Sequence, residues 1–213
     1  MQIELDYPAA VPVDLDAADT LLVVVDMEND TCHPDAPGYN DRMRRCVAAI
    51  AALRRKVRAA GGKVMHTQSV RKPDCLEFTV FKNRVRKLEG SWEADFVADL
   101  KPAADEPVIV KYTHDCFHAT DMDALLVKLG MVPGKSRIIV TGTATRCCVL
   151  HAVMGFSVRD YHIYVPMDCT TQKEEKDILQ AFSLFTGFGY RYNVTMTRSA
   201  LIVLTPSRAL SHT

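Results

Sequence analysis

The chain has 213 residues, 48% apolar and 24% charged, the profile of one globular domain with a substantial core. Lys+Arg and Asp+Glu balance at 26 each, which removes the electrostatic case for nucleic acid or an anionic membrane as partner. No apolar run reaches the roughly 20 residues that a membrane span requires.

Taken in order, residues 1–18 read as an irregular arm containing Pro8 and Pro12. Residues 20–26 form a continuous β-branched run, the pattern of a strand buried on both faces of a parallel sheet. It ends in Asp26. From 41 to 60 the period changes: Met43, Cys46, Val47, Ile50, Leu53 and Val57 share one helical stripe, with Asn40 or Asp41 as cap and Gly61 as stop. Arg44, Arg45, Arg54, Arg55 and Arg58 fall largely off that stripe and are expected to form a solvated outer face rather than a phosphate site. Residues 63–67 read as a second strand. Residues 69–106 then carry Pro73, Gly90, Pro102, many charges and the single tryptophan, Trp92, as a long irregular insertion of the kind that often serves function.

Residues 107–111 are a third strand ending in Lys111. Thr120-x-x-Asp123 resembles a capping box, and its helix stops at Gly130. Residues 136–141 are the fourth strand, followed by a tight polar turn and a helix opening near Cys147 and Cys148. Residues 161–165 and 193–196 complete the strands, with a helix carrying Ile178, Leu179, Phe182 and Phe185 between them. Strand and helix alternate throughout, so the expected fold is a single domain over 1–213: α/β, three-layer α-β-α, with an open, mostly parallel sheet of about six strands.

The acidic first residues carry no secretory signal pattern, and the odd set of Cys32, Cys46, Cys75, Cys116, Cys147, Cys148 and Cys169 lacks metal-type spacing. Reduced thiols in a cytoplasmic protein are expected. A thiol in the first turn of a helix lies near unpaired N–H groups and the positive end of the dipole, which lower its pKa.

In open α/β sheets the functional crevice lies beyond the carboxyl ends of the strands. Asp26 ends the first strand, Lys111 the third, and the cysteine pair follows the fourth. An acid/base, a cation and a thiol at one edge form a coherent nucleophilic set.

These residues also carry a family resemblance. Asp26-Met-Glu-Asn-Asp30, Lys111 with Cys116-Phe-x-x-Thr-Asp121, and Gly142-Thr-Ala-Thr-x-x-Cys-Val149 resemble the three signatures of the isochorismatase-like cysteine hydrolases, over roughly residues 18–170. That family includes nicotinamidases, N-carbamoylsarcosine amidase, ureide hydrolases and isochorismatases. The resemblance implies an Asp26-Lys111-Cys148 triad and a non-proline cis peptide at Thr143–Ala144, and it assigns the nucleophile to Cys148 rather than Cys147. The N–H groups of Ala144 and Cys148 are the candidate oxyanion hole. In such chemistry Asp26 takes the thiol proton, passes it to the leaving amine, and then activates water against the thioester.

The implied activity is hydrolysis of a small amide, carbamoyl or ureido compound. The alternatives are vinyl-ether hydrolysis of the isochorismatase type, which has no need of the cysteine, and a non-catalytic binding protein of the same fold. Glu28 stands where the family usually has Gln, and His151 where it often has Thr. The Asp-x-His metal segment of nicotinamidases is not evident, and His33, His66, His114 and His118 are scattered, so no zinc or other cofactor is expected. Candidate substrate contacts are Glu28, Trp92, Cys116, Phe117 and His118, with Arg71 or Arg84 open to an anionic substrate. The family commonly forms dimers or tetramers, so a homo-oligomer is expected.

Overall fold

The computed structural model describes residues 6–80, 86–187, 189–190 and 192–206. The chain runs β1 (Val13–Asp16), β2 (Thr20–Val25), α1 (Asn29–Cys32), α2 (Asp41–Arg44), α3 (Val47–Ala59), β3 (Lys63–Ser69), α4 (Leu76–Val80), β4 (Val108–Lys111), α5 (Met122–Lys128), β5 (Arg137–Thr143), α6 (Leu150–Ser157), β6 (His162–Pro166), β7 (Thr170–Thr171), α7 (Glu175–Phe185), β8 (Val194–Thr197) and β9 (Ile202–Thr205). The main sheet has seven strands in the order β4-β3-β2-β5-β6-β8, with β7 paired to the far end of β5. The pairings within it are parallel.

All six residues of β2 are buried. Successive side chains of a strand point to opposite faces. Leu21, Val23 and Val25 accordingly join Ile138, Val140, Val153, Phe156 and Phe182 on one side, while Leu22 and Val24 join Ile50, Leu53, Val57 and Ile139 on the other. From β2 the chain builds outward through β3 to β4, and from β5 outward through β6 to β8. The β2–β5 boundary is therefore the topological switch point, where a crevice opens beyond the strand ends.

β5 reaches that crevice at Gly142, which pairs with Val25 at φ +108°. A Cβ there would lie 2.1 Å from the Val25 carbonyl oxygen. Gly142→Ala is expected to cost about 2–4 kcal/mol, from the strained φ and the overpacking together, and to lower the urea midpoint accordingly.

Several local expectations give way. The arm over 1–18 contains β1, which pairs in parallel with β9 in a separate two-stranded sheet. The helix expected over 41–60 is two helices, with the first turn capped by Asn40 Oδ1 accepting from Arg42 N at 3.0 Å. Thr120 Oγ1 accepts from Met122 N, and Asp121 rather than Thr120 is the cap residue of α5. The arginines of α3 are not simply solvated. Arg54 and Arg58 donate to the buried carboxylate of Glu106, with Arg54 Nε to Oε1 at 2.9 Å and Arg58 Nη1 to Oε1 at 2.8 Å.

Candidate active site

Asp26 is the first residue past β2 and takes φ +50°. Its N–H donates to Thr67 O of β3 at 3.2 Å, and its own carbonyl accepts from Thr143 Oγ1 of β5 at 3.2 Å. Thr67 Oγ1 donates to Asp26 Oδ1 at 2.6 Å. The carboxylate is thus fixed from both neighbouring strands. Lys111, the last residue of β4, is fully buried and sets its ammonium 2.7 Å from Asp26 Oδ2. It also donates to Thr113 O at 3.0 Å, pinning the loop that follows β4.

Beyond β5 the Thr143–Ala144 peptide is cis. The turn then enters a π-helical segment over Thr145–Val149 before α6. Ala144 O accepts from the N–H groups of Cys147 and Val149, and Thr145 Oγ1 meets Thr170 Oγ1 of β7 at 2.9 Å. Cys148 is thereby carried, buried, to the switch point. Its sulfur lies 3.3 Å from Nδ1 of His114.

The three groups bias one another. Burial pushes the Asp26 carboxyl up, but the charges of Lys111 and Lys87 outweigh burial and hold it below the ordinary carboxylate value. Burial depresses the Lys111 ammonium, yet Asp26 and Cys148 reverse this and keep it charged. Burial and then the Asp26 charge push the Cys148 thiol well above its ordinary value. This corrects the expectation of a helix-start thiolate: desolvation and a neighbouring carboxylate exceed the helix-terminal effect, so the resting site holds a thiol beside a carboxylate.

A cavity of about 320 Å³ opens over these residues, and Asp26, Cys148, Cys147, Thr143 and Ala144 line it. Its other walls are Asp30, Thr31 and Met43 on one side and Ser69, Arg71, Glu77, Arg86, Lys87 and His114 on the other. Most of the second group belongs to the 69–106 insertion, so that segment does reach the site, through Arg71 as expected and through Ser69, Glu77, Arg86 and Lys87 besides. Arg84 lies outside the described residues.

Five expected substrate contacts are not brought to the cavity wall. Glu28 is fully buried behind it, accepting from the Ser69 N–H and pairing with Lys87 Nζ at 2.6 Å. Its carboxyl is pushed up to about 7, by burial and the Asp26 charge against Lys87. Trp92 lies edge-on to His33 at 4.9 Å, with its indole half exposed and its carbonyl accepting from Asn29 Nδ2. Cys116 is buried in the core. Phe117 turns inward against Phe156 at 5.0 Å, in space that Gly155 leaves free: a Cβ there would lie 2.4 Å from the Phe117 ring. His118 stays exposed on its turn.

Sequence reasoning missed Lys87 and His114. Lys87 sits at φ +58° in a loop tied to Arg71 by backbone hydrogen bonds, and no local pattern marks it. His114 had one signal, its place three residues after Lys111. Among the described residues, no group of three or more His, Cys, Asp or Glu side chains is arranged to hold a metal ion, and no helix is long and apolar enough to cross a membrane.

Comparison with known proteins places this geometry among relatives. The isochorismatase domain model matches residues 20–198. Ureidoacrylate amidohydrolase RutB of Methylobacterium radiotolerans is 30% identical over 93% of this chain and 84% of its own length. An isochorismatase family protein from Desulfovibrio vulgaris superposes with a TM-score of 0.75 at 25% identity, over 85% of this chain and 95% of the other. N-carbamoylsarcosine amidase from Thermoplasma acidophilum, at 22% identity and TM-score 0.72 over 85% and 96% of the two chains, shares the fold.

Proposed function

The chain belongs to the isochorismatase family of hydrolases, and from that membership we propose that it is a cysteine amidohydrolase, cleaving a small amide, carbamoyl or ureido compound through a thioester on Cys148. The observation that carries the reading is the buried Lys111–Asp26 pair, 2.7 Å apart, beside Cys148 on the floor of the cavity. The name of the similar ureidoacrylate amidohydrolase supports the choice of a C–N bond.

A thiol above its ordinary pKa is a poor nucleophile until its proton is removed. Asp26 accepts that proton as the sulfur attacks the carbonyl carbon, and the charge formed on sulfur is stabilised by Lys111. The N–H groups of Ala144 and Cys148 serve the developing oxyanion, at about 3 kcal/mol per donor in comparable sites. Protonated Asp26 then donates to the departing nitrogen, which leaves as ammonia or an amine, and water hydrolyses the thioester. Cys147 also lines the cavity and burial raises its thiol, but the carboxylate among its charged neighbours, Asp177, is held in an ion pair with Arg146 at 2.7 Å.

A panel of small primary amides, N-carbamoyl acids and ureides, followed by ammonia release, tests the proposal. At least one class is expected to turn over, and Cys147→Ala is expected to keep turnover within about threefold of wild type, since its contact with the reaction is peripheral. Absence of ammonia from every class overturns the amidohydrolase reading. Collapse of activity in Cys147→Ala moves the nucleophile by one residue.

A further inference from the structure

We propose that His114 is a second proton carrier of this site, taking a proton from the water that hydrolyses the Cys148 thioester and returning it to the departing sulfur. The inference rests on the thioester reading above and concerns its second half.

The geometry divides the two faces of the sulfur. Both Asp26 and His114 line the cavity, but Asp26 is buried while His114 is exposed to solvent. Water approaching a thioester from the open side meets the imidazole first. His114 Nδ1 is 3.3 Å from Cys148 Sγ, and the thioester carbon is bonded to that sulfur, so a water poised on the carbon comes within hydrogen-bond reach of the same nitrogen. The ring is held in place. Lys111 Nζ fixes the Thr113 carbonyl, Thr113 Oγ1 donates to Asp115 O, and Asp115 Oδ1 accepts from Phe117 N at 2.8 Å. The ring of His151 on α6 stands 5.7 Å away, itself held by a 2.9 Å contact from its Nδ1 to Cys147 O.

Charge favours the assignment. The groups that face His114 are Lys111 from β4, Asp26 past β2, Arg71 past β3, Cys148, and His151 on α6. Burial, then Lys111, His151 and Arg71, lower its pKa, with Asp26 opposing, so the ring is neutral and able to accept a proton at neutral pH. Asp26, held anionic by two lysines, is the weaker base.

The step balances with water alone. With the ring proton on Nε2, Nδ1 takes a proton from water as the oxygen bonds to the thioester carbon. The tetrahedral intermediate then collapses, the C–S bond breaks with its electron pair on sulfur, and Nδ1–H gives its proton to Sγ. The acid product leaves and the Cys148 thiol is restored.

The test uses p-nitrophenyl acetate as acylating probe, with nitrophenolate release followed in the pre-steady state and the protein weighed intact. Wild type is expected to show a burst, and Cys148→Ala none. His114→Gln is expected to keep the burst amplitude, accumulate acetyl-enzyme, and lose about 10²-fold or more in the steady-state rate. Free imidazole is expected to restore deacylation in His114→Gly, which a purely structural role would not permit. Wild-type steady-state turnover in His114→Gln overturns the inference, and so does loss of its burst, which would move the residue to acylation. Absence of acetyl-enzyme from both wild type and His114→Gln, or a burst that survives in Cys148→Ala, removes the thioester reading itself and this inference with it.

Discussion

Cys148→Ala is expected to abolish turnover while leaving the protein nearly as stable as wild type, whereas Lys111→Met loses both activity and stability. The alanine variant removes one buried thiol, a truncation that costs about 1–2 kcal/mol, and deletes the atom proposed to form the covalent intermediate. Lys111 is different in kind. It is fully buried, and its ammonium is the closest counter-ion of Asp26. Methionine fills similar space but leaves a buried carboxylate opposed by desolvation, and breaking such a pair by removing one partner costs about 3–5 kcal/mol. The Asp26 pKa then rises, because burial already pushes it upward and Lys111 is the larger of the two opposing charges. Activity is expected to fall by roughly 10²–10³-fold, as when one preorganised electrostatic group is removed from a site of this type. The double variant Asp26→Asn/Lys111→Met is expected to regain stability in urea without regaining turnover. If the single Lys111→Met protein unfolds at the wild-type urea concentration, the buried pair does not have the energetic weight assigned to it.

The second large effect is expected at the other end of β4 from Lys111. Glu106 is buried and receives Arg54, Arg58, the Ala103 N–H at 3.0 Å and His66 Nε2 at 3.0 Å. Burial pushes its carboxyl up, but these hydrogen bonds outweigh burial and hold its pKa at about 2, against an ordinary 4.5. The folded protein therefore binds this proton less readily than the unfolded chain. The stabilisation is complete above pH 4.5, declines as pH falls through the interval to about 2, and amounts to about 3 kcal/mol. His66 is lowered by burial against the pull of Glu106, so the folded state resists its protonation too, and stability begins to decline below its ordinary 6.5. Both slopes point the same way: stability falls on acidification. Glu106→Gln is expected to cost about 3–5 kcal/mol near pH 7, by stranding the largely buried Arg54, and to flatten the acid limb of stability measured by urea unfolding at about pH 5 and about pH 2.5. An unchanged acid limb in Glu106→Gln would assign the pH dependence to other groups.

Most of the sheet was legible because its strands are buried on both faces and so read as unbroken apolar runs; β2, with all six residues buried, is the extreme case. The edge position of Asp26, Lys111 and Cys148 followed from the same reading, since strand ends locate a crevice in a parallel sheet. β1 and β9 escaped it. Each is four residues long, with only Leu15 and Ile202 fully buried, and their pairing is a tertiary fact that no local pattern announces. The substrate wall escaped for another reason. Phe117 looks like a contact residue beside Lys111, but a missing side chain at Gly155 draws it into the core. Lys87 comes to the site because buried Glu28 needs a counter-ion, and burial of that glutamate is invisible in a motif. The ionisation of Cys148 went wrong for the same cause: a helix start can be read from spacing, but desolvation beside a carboxylate cannot.

The β1–β9 pair bears on how a growing chain completes itself. β1 is made early and β9 late, and the partner of each is the other. Until the last strand emerges, β1 is an open edge carrying unpaired backbone groups, the kind of edge that invites pairing with another chain. Residues near it are already engaged elsewhere: Val11 N donates to Met196 O at 2.9 Å, and Thr197 Oγ1 donates to Val11 O at 2.7 Å. These contacts also await the late segments. The candidate catalytic edge, whose three residues end at Cys148, can therefore be in place before β1 has any partner to close on.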